Sequence, residues 1–128
     1  MGLAEELEQD KSSMQKNFKL STEQIQPLTE GHGGCIATDM ITVEGRRVHF
    51  MYREPPHNDL DSGWRFTAGL ESEEYMDDPD NHEVHDVNTI ANYDRDIVEF
   101  LNAPIGSAFE RDRTNSKFLA VDFEAPPD

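Results

Sequence analysis

Carboxylates and histidines are the side chains here whose spacing invites chemistry. Asp59-Leu60-Asp61-Ser62-Gly63 and Asp78-Pro79-Asp80-Asn81-His82-Glu83 repeat acids at alternate positions, as hard-cation loops do. A calcium loop also needs a glycine at its sixth position and a distal glutamate. The first stretch places its glycine one residue early, and the second has none. Both therefore read as solvated acidic loops that would bind calcium only adventitiously. His82-Glu83-Val84-His85 has one residue between Glu and the second His. Zinc proteases need two there, on one helix face, and Pro79 argues against a helix. These are read as surface histidines, so no metal site is expected.

The nucleophile patterns fail in the same way. Cys35 beside a histidine would make a reactive thiolate pair. Its position next to Ile36, at the start of an apolar segment, instead marks a buried structural cysteine. Gly31-His32-Gly33-Gly34 lacks the Lys-Ser/Thr that completes a phosphate loop, and no Gly-x-Ser-x-Gly elbow occurs. No enzyme signature survives, and no cofactor is expected.

The charge balance narrows the partners. The 128 residues carry 27 acids against 11 Lys and Arg, for a net charge of −16. Residues 54–99 hold 14 acids and two arginines, 14 − 2 = 12 net negative charges. Such a surface repels nucleic acid and anionic membranes and attracts basic proteins. With a single cysteine, no intrachain disulfide forms, which fits a reducing cytoplasm. The first residues are acidic and lack an apolar signal core, and no run nears the roughly 20 apolar residues of a membrane span. A cytoplasmic protein is expected.

The elements that must position these residues can be read from periodicity. Leu3, Leu7, Met14 and Phe18 mark an amphipathic helix over 3–18. Ser21 and Gln24 form a capping box that Pro27 cuts short. Residues 1–33 thus read as a helical extension, 34–123 as a single domain and 124–128 as a mobile tail. Residues 41–43 and 47–53 read as a hairpin around Glu44-Gly45, with Val48, Phe50 and Tyr52 on one face. Trp64, Phe66, Ala68 and Leu70 alternate along the next strand. Residues 71–85 read as an acidic loop with one helical turn. Asp86 and Asp94 are placed to cap two short helices, the second ending before Pro104. Residues 107–110 and 117–123 read as late strands, with Leu119, Val121 and Phe123 alternating. The fold class is α+β: a small antiparallel sheet with helices packed mainly on one face.

Trp64, the only tryptophan, follows Gly63 and opens its strand. It reads first as a core anchor, and second as an interface hot spot ringed by acids. Asp59, Asp61, Trp64, Tyr75, Asp77, Asp78 and Asp80 together form the candidate partner-binding surface.

An ordered series of short motifs carries a resemblance. Met51-Tyr52-Arg53-Glu54, Asp61-Ser62-Gly63-Trp64-Arg65-Phe66 and Tyr75-Met76-Asp77-Asp78-Pro79-Asp80-Asn81 open it, and Asp86 to Asp94 and Pro104 to Arg111 complete it. Over residues 34–111 the chain resembles the immunity protein 33 family of bacterial polymorphic toxin systems. The resemblance implies an α+β fold and the neutralisation of a cognate toxin, with no catalytic residue to carry over. A non-catalytic binding protein for a basic toxin domain is the leading expectation. The alternative is a small-molecule module or unrecognised enzyme, with a pocket between the sheet and the helices of residues 86–102. Arg53, Arg65 or Arg111 would then hold an anion.

Overall fold

Side chains alternate along a strand, so Trp64 and Phe66 share one face while Arg65 takes the other. The rest of the sheet is arranged around that division. The computed structural model describes residues 16–123. Six strands, β1 (Gly34–Thr38), β2 (Phe50–Arg53), β3 (Asp61–Thr67), β4 (His82–Asp86), β5 (Ala108–Arg111) and β6 (Phe118–Ala120), form one sheet in the order β4-β1-β3-β2-β5-β6. The α+β class is as expected, with one departure: β1 and β3 run parallel, while the other pairings are antiparallel. A parallel pair needs a crossover of a dozen or more residues, and residues 39–60 supply it.

The helices α1 (Asp39–Thr42), α2 (Glu73–Asp77) and α3 (Val87–Tyr93) are short, and 3-10 turns occupy Pro79–Asn81 and Arg95–Phe100. Ile41 from α1, Val87 and Ile90 from α3, and Ile97 and Leu101 from the last turn cover one sheet face. There they meet Cys35, Ala37, Met51, Trp64 and Phe66. Each Val, Ile, Leu, Met or Phe side chain among them contributes about 1.5–3 kcal/mol by leaving water. Asp86 caps α3, accepting from Asn88 N at 2.9 Å, and Asp94 caps the following turn, accepting from Asp96 N at 3.1 Å. Both caps were legible. The opposite face carries Ile36, Phe50, Tyr52, Arg65 and Val84, and is open to water at Val84 and Leu119.

Several expectations are corrected. The hairpin over 41–53 does not form. Residues 39–42 are helical, and Gly45 N donates to Ile41 O at 3.0 Å. Glu44-Gly45 is thus a helix terminus, since glycine serves a helix end as readily as a hairpin turn. Strand β2 begins only at Phe50, and its register against β3 and β5 turns Met51 into the core. Phe50 and Tyr52 lie on the open face, where Phe123 packs against both at 4.9 and 4.7 Å. Leu70 is exposed, because β3 ends at Thr67. In β6 the buried side chain is Phe118, which pairs with Arg111, while Leu119 is exposed. Residues 82–85, read as loop, form a sheet edge together with Asp86. Of the expected helix over 3–18, residues 16–18 are non-helical and the rest lies outside the described residues, as does the tail 124–128.

The segment before β1 is tied to α3. Asn88 Oδ1 accepts from Leu28 N and Thr29 N, Asn92 Oδ1 accepts from Gln26 N, and both amides donate to Gln26 O. Tyr93 Oη accepts from Leu20 N and donates to Thr42 O, each at 3.0 Å. The capping box is present, with Ser21 N donating to Gln24 Oε1 at 2.8 Å.

Candidate functional site

The expected surface residues fall into two groups at opposite ends of β3. Tyr75, Asp77, Asp78 and Asp80 follow its C-terminal end, on α2 and the 3-10 turn after it. Asp59 and Asp61 lie at its start. Seven strand residues span about 20 Å, so the two groups do not form one patch.

The first group is an acidic pole. Ser72 caps α2, accepting from Tyr75 N at 3.0 Å, and Asp78 caps the next turn, accepting from Asp80 N at 2.9 Å. These caps leave Glu73, Glu74, Asp77, Asp78 and Asp80 exposed. No Lys or Arg occurs between Arg65 and Arg95. Half-buried Tyr75 sits among them; burial raises its phenol pKa, and Asp39, Glu44 and Glu71 raise it further. The neutral phenol remains a hydrogen-bond donor. Lys16 reaches the pole from outside, 3.0 Å from Asp39 and 3.3 Å from Glu83. Glu71 faces inward and locks the approach to α2. It accepts from Ala68 N, Gly69 N and Leu70 N, and from Thr38 Oγ1 at 2.5 Å.

The second group is built around Arg65, which is 5% exposed although charged. Its Nε donates to Glu54 Oε2 at 2.6 Å, while Nη1 and Nη2 fork onto Asp61 at 2.9 and 2.8 Å. Burial opposes the guanidinium charge, but Asp61 and Glu54 more than offset it and hold its pKa above the ordinary arginine value. Arg65 in turn holds the Asp61 carboxyl well below the usual carboxylate range. Asp61 also accepts from His57 N and Gly63 N, so both oxygens are fully engaged. The result is a clamp that closes residues 54–61 into a fixed loop, with His57, Asp59 and Leu60 exposed on it. Gly63 makes the closure feasible: its φ is +91°, and a Cβ would stand 2.1 Å from Glu54 O.

Trp64 is wholly enclosed and donates Nε1–H to Leu101 O at 3.1 Å, so it presents nothing to a partner. The arginines weighed as anion holders are committed internally. Arg53 donates to Ser62 O and Ala103 O, and Arg111 pairs with Asp94 and Asp96. The space expected to hold a pocket, between sheet and helices, is filled by the core. The cavities instead lie beside β1 and β4, and beside Tyr52, Ile105 and Phe123. Among the described residues no three His, Cys, Asp or Glu converge as metal ligands, and His82 and His85 project to opposite faces of β4. Burial pushes the Cys35 thiol pKa up and His85 down. Asn88, Asn92 and Glu71 were missed as organising residues, since nothing in a lone amide or acid reveals its distant main-chain partner.

The fold and its surface define a small acidic α+β domain whose buried cations are neutralised from within. The chain matches the model of the Immunity protein Imm33 domain over residues 35–122 and belongs to that family. The match confirms the resemblance and extends past residue 111 through β6. Membership supports an immunity role and implies a toxin partner. No curated protein and no solved structure matches the chain. No helix among the described residues is long and apolar enough to cross a membrane.

Proposed function

We propose that this chain neutralises a cognate toxin in the cytoplasm by non-catalytic binding, with the acidic pole around Tyr75 meeting a basic face of the toxin. The observation that carries this reading is the run of exposed carboxylates from Glu73 to Asp80, in a stretch without a Lys or Arg. Such a field speeds encounter with a basic partner, and salt weakens it. Tyr75 supplies an amphipathic ring at its centre. Asp59 adds charge at the far end of the sheet, while Asp61 and Trp64 support the structure beneath.

Two measurements test this. A partner recovered from native lysate at low salt is expected to be basic, to dissociate at high salt, and to be toxic when expressed without this chain. Reversing Asp77, Asp78 and Asp80 together to lysine is expected to slow association by about tenfold or more and to flatten its salt dependence. An unchanged association rate would remove the pole from the interface.

A further inference from the structure

Leu60 and Val84 are 81% and 73% exposed, more than any other large apolar side chain among the described residues. They line the same cleft of about 500 Å³ on the open face of the sheet, with Gly34 and Ile36 among its other lining residues. Single exposed apolar side chains are ordinary, but two framing one cleft are not. The cleft is open because Gly34 lacks a side chain. A Cβ there would lie 3.7 Å from Val84 Cγ1 and 3.3 Å from Leu60 O.

The Leu60 wall is fixed before anything binds. Leu60 O accepts from Gly34 N at 2.7 Å, and Leu60 N donates to Asn58 Oδ1 at 2.9 Å. The Arg65 clamp holds both ends of the loop. A loop already ordered by such bonds adds little backbone entropy cost on docking. The formal charges on the cleft are carboxylates: Asp61 and Asp86 line it with His57 and His85, counted neutral at pH 7, exposed Asp59 lies beside it, and Arg65 is buried and paired. Asp61 has no oxygen to spare, and a small anionic ligand would face the Asp61 and Asp86 carboxylates; His57, Asn58 and His85 complete the polar lining. A second copy of the chain would bring another net charge of −16.

We propose that this cleft receives an apolar side chain flanked by Lys or Arg on a basic partner protein. The flanking cations would meet Asp59 and Asp86, and the apolar side chain would pack between Leu60 and Val84. That the partner is the toxin rests on the function proposed above; the chemistry of the cleft does not.

The test uses the full chain, 15N-labelled, titrated with three blocked tripeptides: Lys-Leu-Lys, Glu-Leu-Glu and Lys-Ser-Lys. Lys-Leu-Lys is expected to shift the amides of Gly33, Gly34, Leu60 and Val84 saturably, with the other two binding at least about tenfold more weakly. Leu60→Ser with Val84→Thr should abolish those shifts and leave the remaining spectrum in place, since both side chains are exposed and threonine suits a strand. Equal response to all three peptides, no response at these amides, or shifts confined to Asp77–Asp80 would overturn the proposal. So would broadening of the same amides with protein concentration alone, which would assign the cleft to a second copy. Cleft binding without protection from a toxin would remove only the immunity reading. Protection without cleft binding would remove only the cleft.

Discussion

Arg65 and Arg111 are the same device placed on opposite faces of one sheet. Each is nearly buried, at 5% and 7% exposure, and each faces two carboxylates. Arg111 joins parts of the interior. Its Nε donates to Val48 O at 2.9 Å and Nη1 to Ser116 O at 2.8 Å, while Nη2 pairs with Asp94. Its guanidinium lies over Phe118, 4.3 Å from the ring centre. Asp94 also accepts from Val48 N, so one ion pair ties β5 to the last helical turn and to the chain entering β2. Arg65 instead spends its fork on Asp61 and its Nε on Glu54, the two ends of a single loop. One cluster holds the core together and the other holds a surface in shape. A buried cation therefore does not by itself mark a binding site; what its partners belong to decides its role.

The largest expected effect breaks the Arg65 side alone. Gly63→Ala would drive a Cβ into Glu54 O, in a backbone region that disfavours side chains, and should cost more than about 4 kcal/mol in urea unfolding. Arg111→Met comes next. It strands the Asp94 carboxylate, 6% exposed, and should cost about 3–5 kcal/mol. Arg65→Met should cost less, about 2–3 kcal/mol, because Glu54 and Asp61 lie nearer to water, at 12% and 11% side-chain exposure. Hydrogen exchange sharpens the contrast: Arg65→Met should accelerate residues 54–61 selectively, and Arg111→Met should accelerate the core. A uniform response to both would erase the distinction.

The smallest effect is read against pH. The Asp61 carboxyl titrates lower in the folded chain than in the unfolded one, held down first by its hydrogen bonds to Arg65. Its contribution is therefore complete above about pH 5 and is lost as pH falls toward the folded value. Asp96 shifts the same way beside Arg111, but at 55% side-chain exposure it adds little. Arg65→Met should flatten stability between about pH 5 and pH 2 more than Arg111→Met does. Parallel profiles for the two variants and the parent chain would show that Asp61 does not carry the acid response.

Local signals in the sequence proved dependable where the chemistry is local. Asp86 and Asp94 cap as their positions imply, and Trp64 and Phe66 face the core as alternation implies. The failures lie where long-range pairing decides. The alternation read over residues 48–52 fails at its start: β2 begins only at Phe50, so Val48 and Met51 are both buried in the core while register against β3 and β5 leaves Phe50 and Tyr52 outside. Strand β4 has no apolar face to announce it, since only Val84 among its five residues is apolar, and that side chain is exposed. The acidity of the candidate surface was plain. Its division was not, because that follows from the length of β3 between two acidic segments. The cleft was invisible too, being made by Gly33 and Gly34 crossing beneath residues distant in the chain.

The composition of β4 bears on how the protein behaves in a crowded solution. Among the described residues β4 and β6 are the outer strands, of five and three residues. A bare outer strand is a template on which other molecules add further strands. Here four of the five β4 residues are ionisable, and β6 is too short to template much. Together with the net charge of −16, this disfavours ordered self-assembly and keeps the chain dispersed at concentrations where an outer strand of valine and isoleucine would seed fibres.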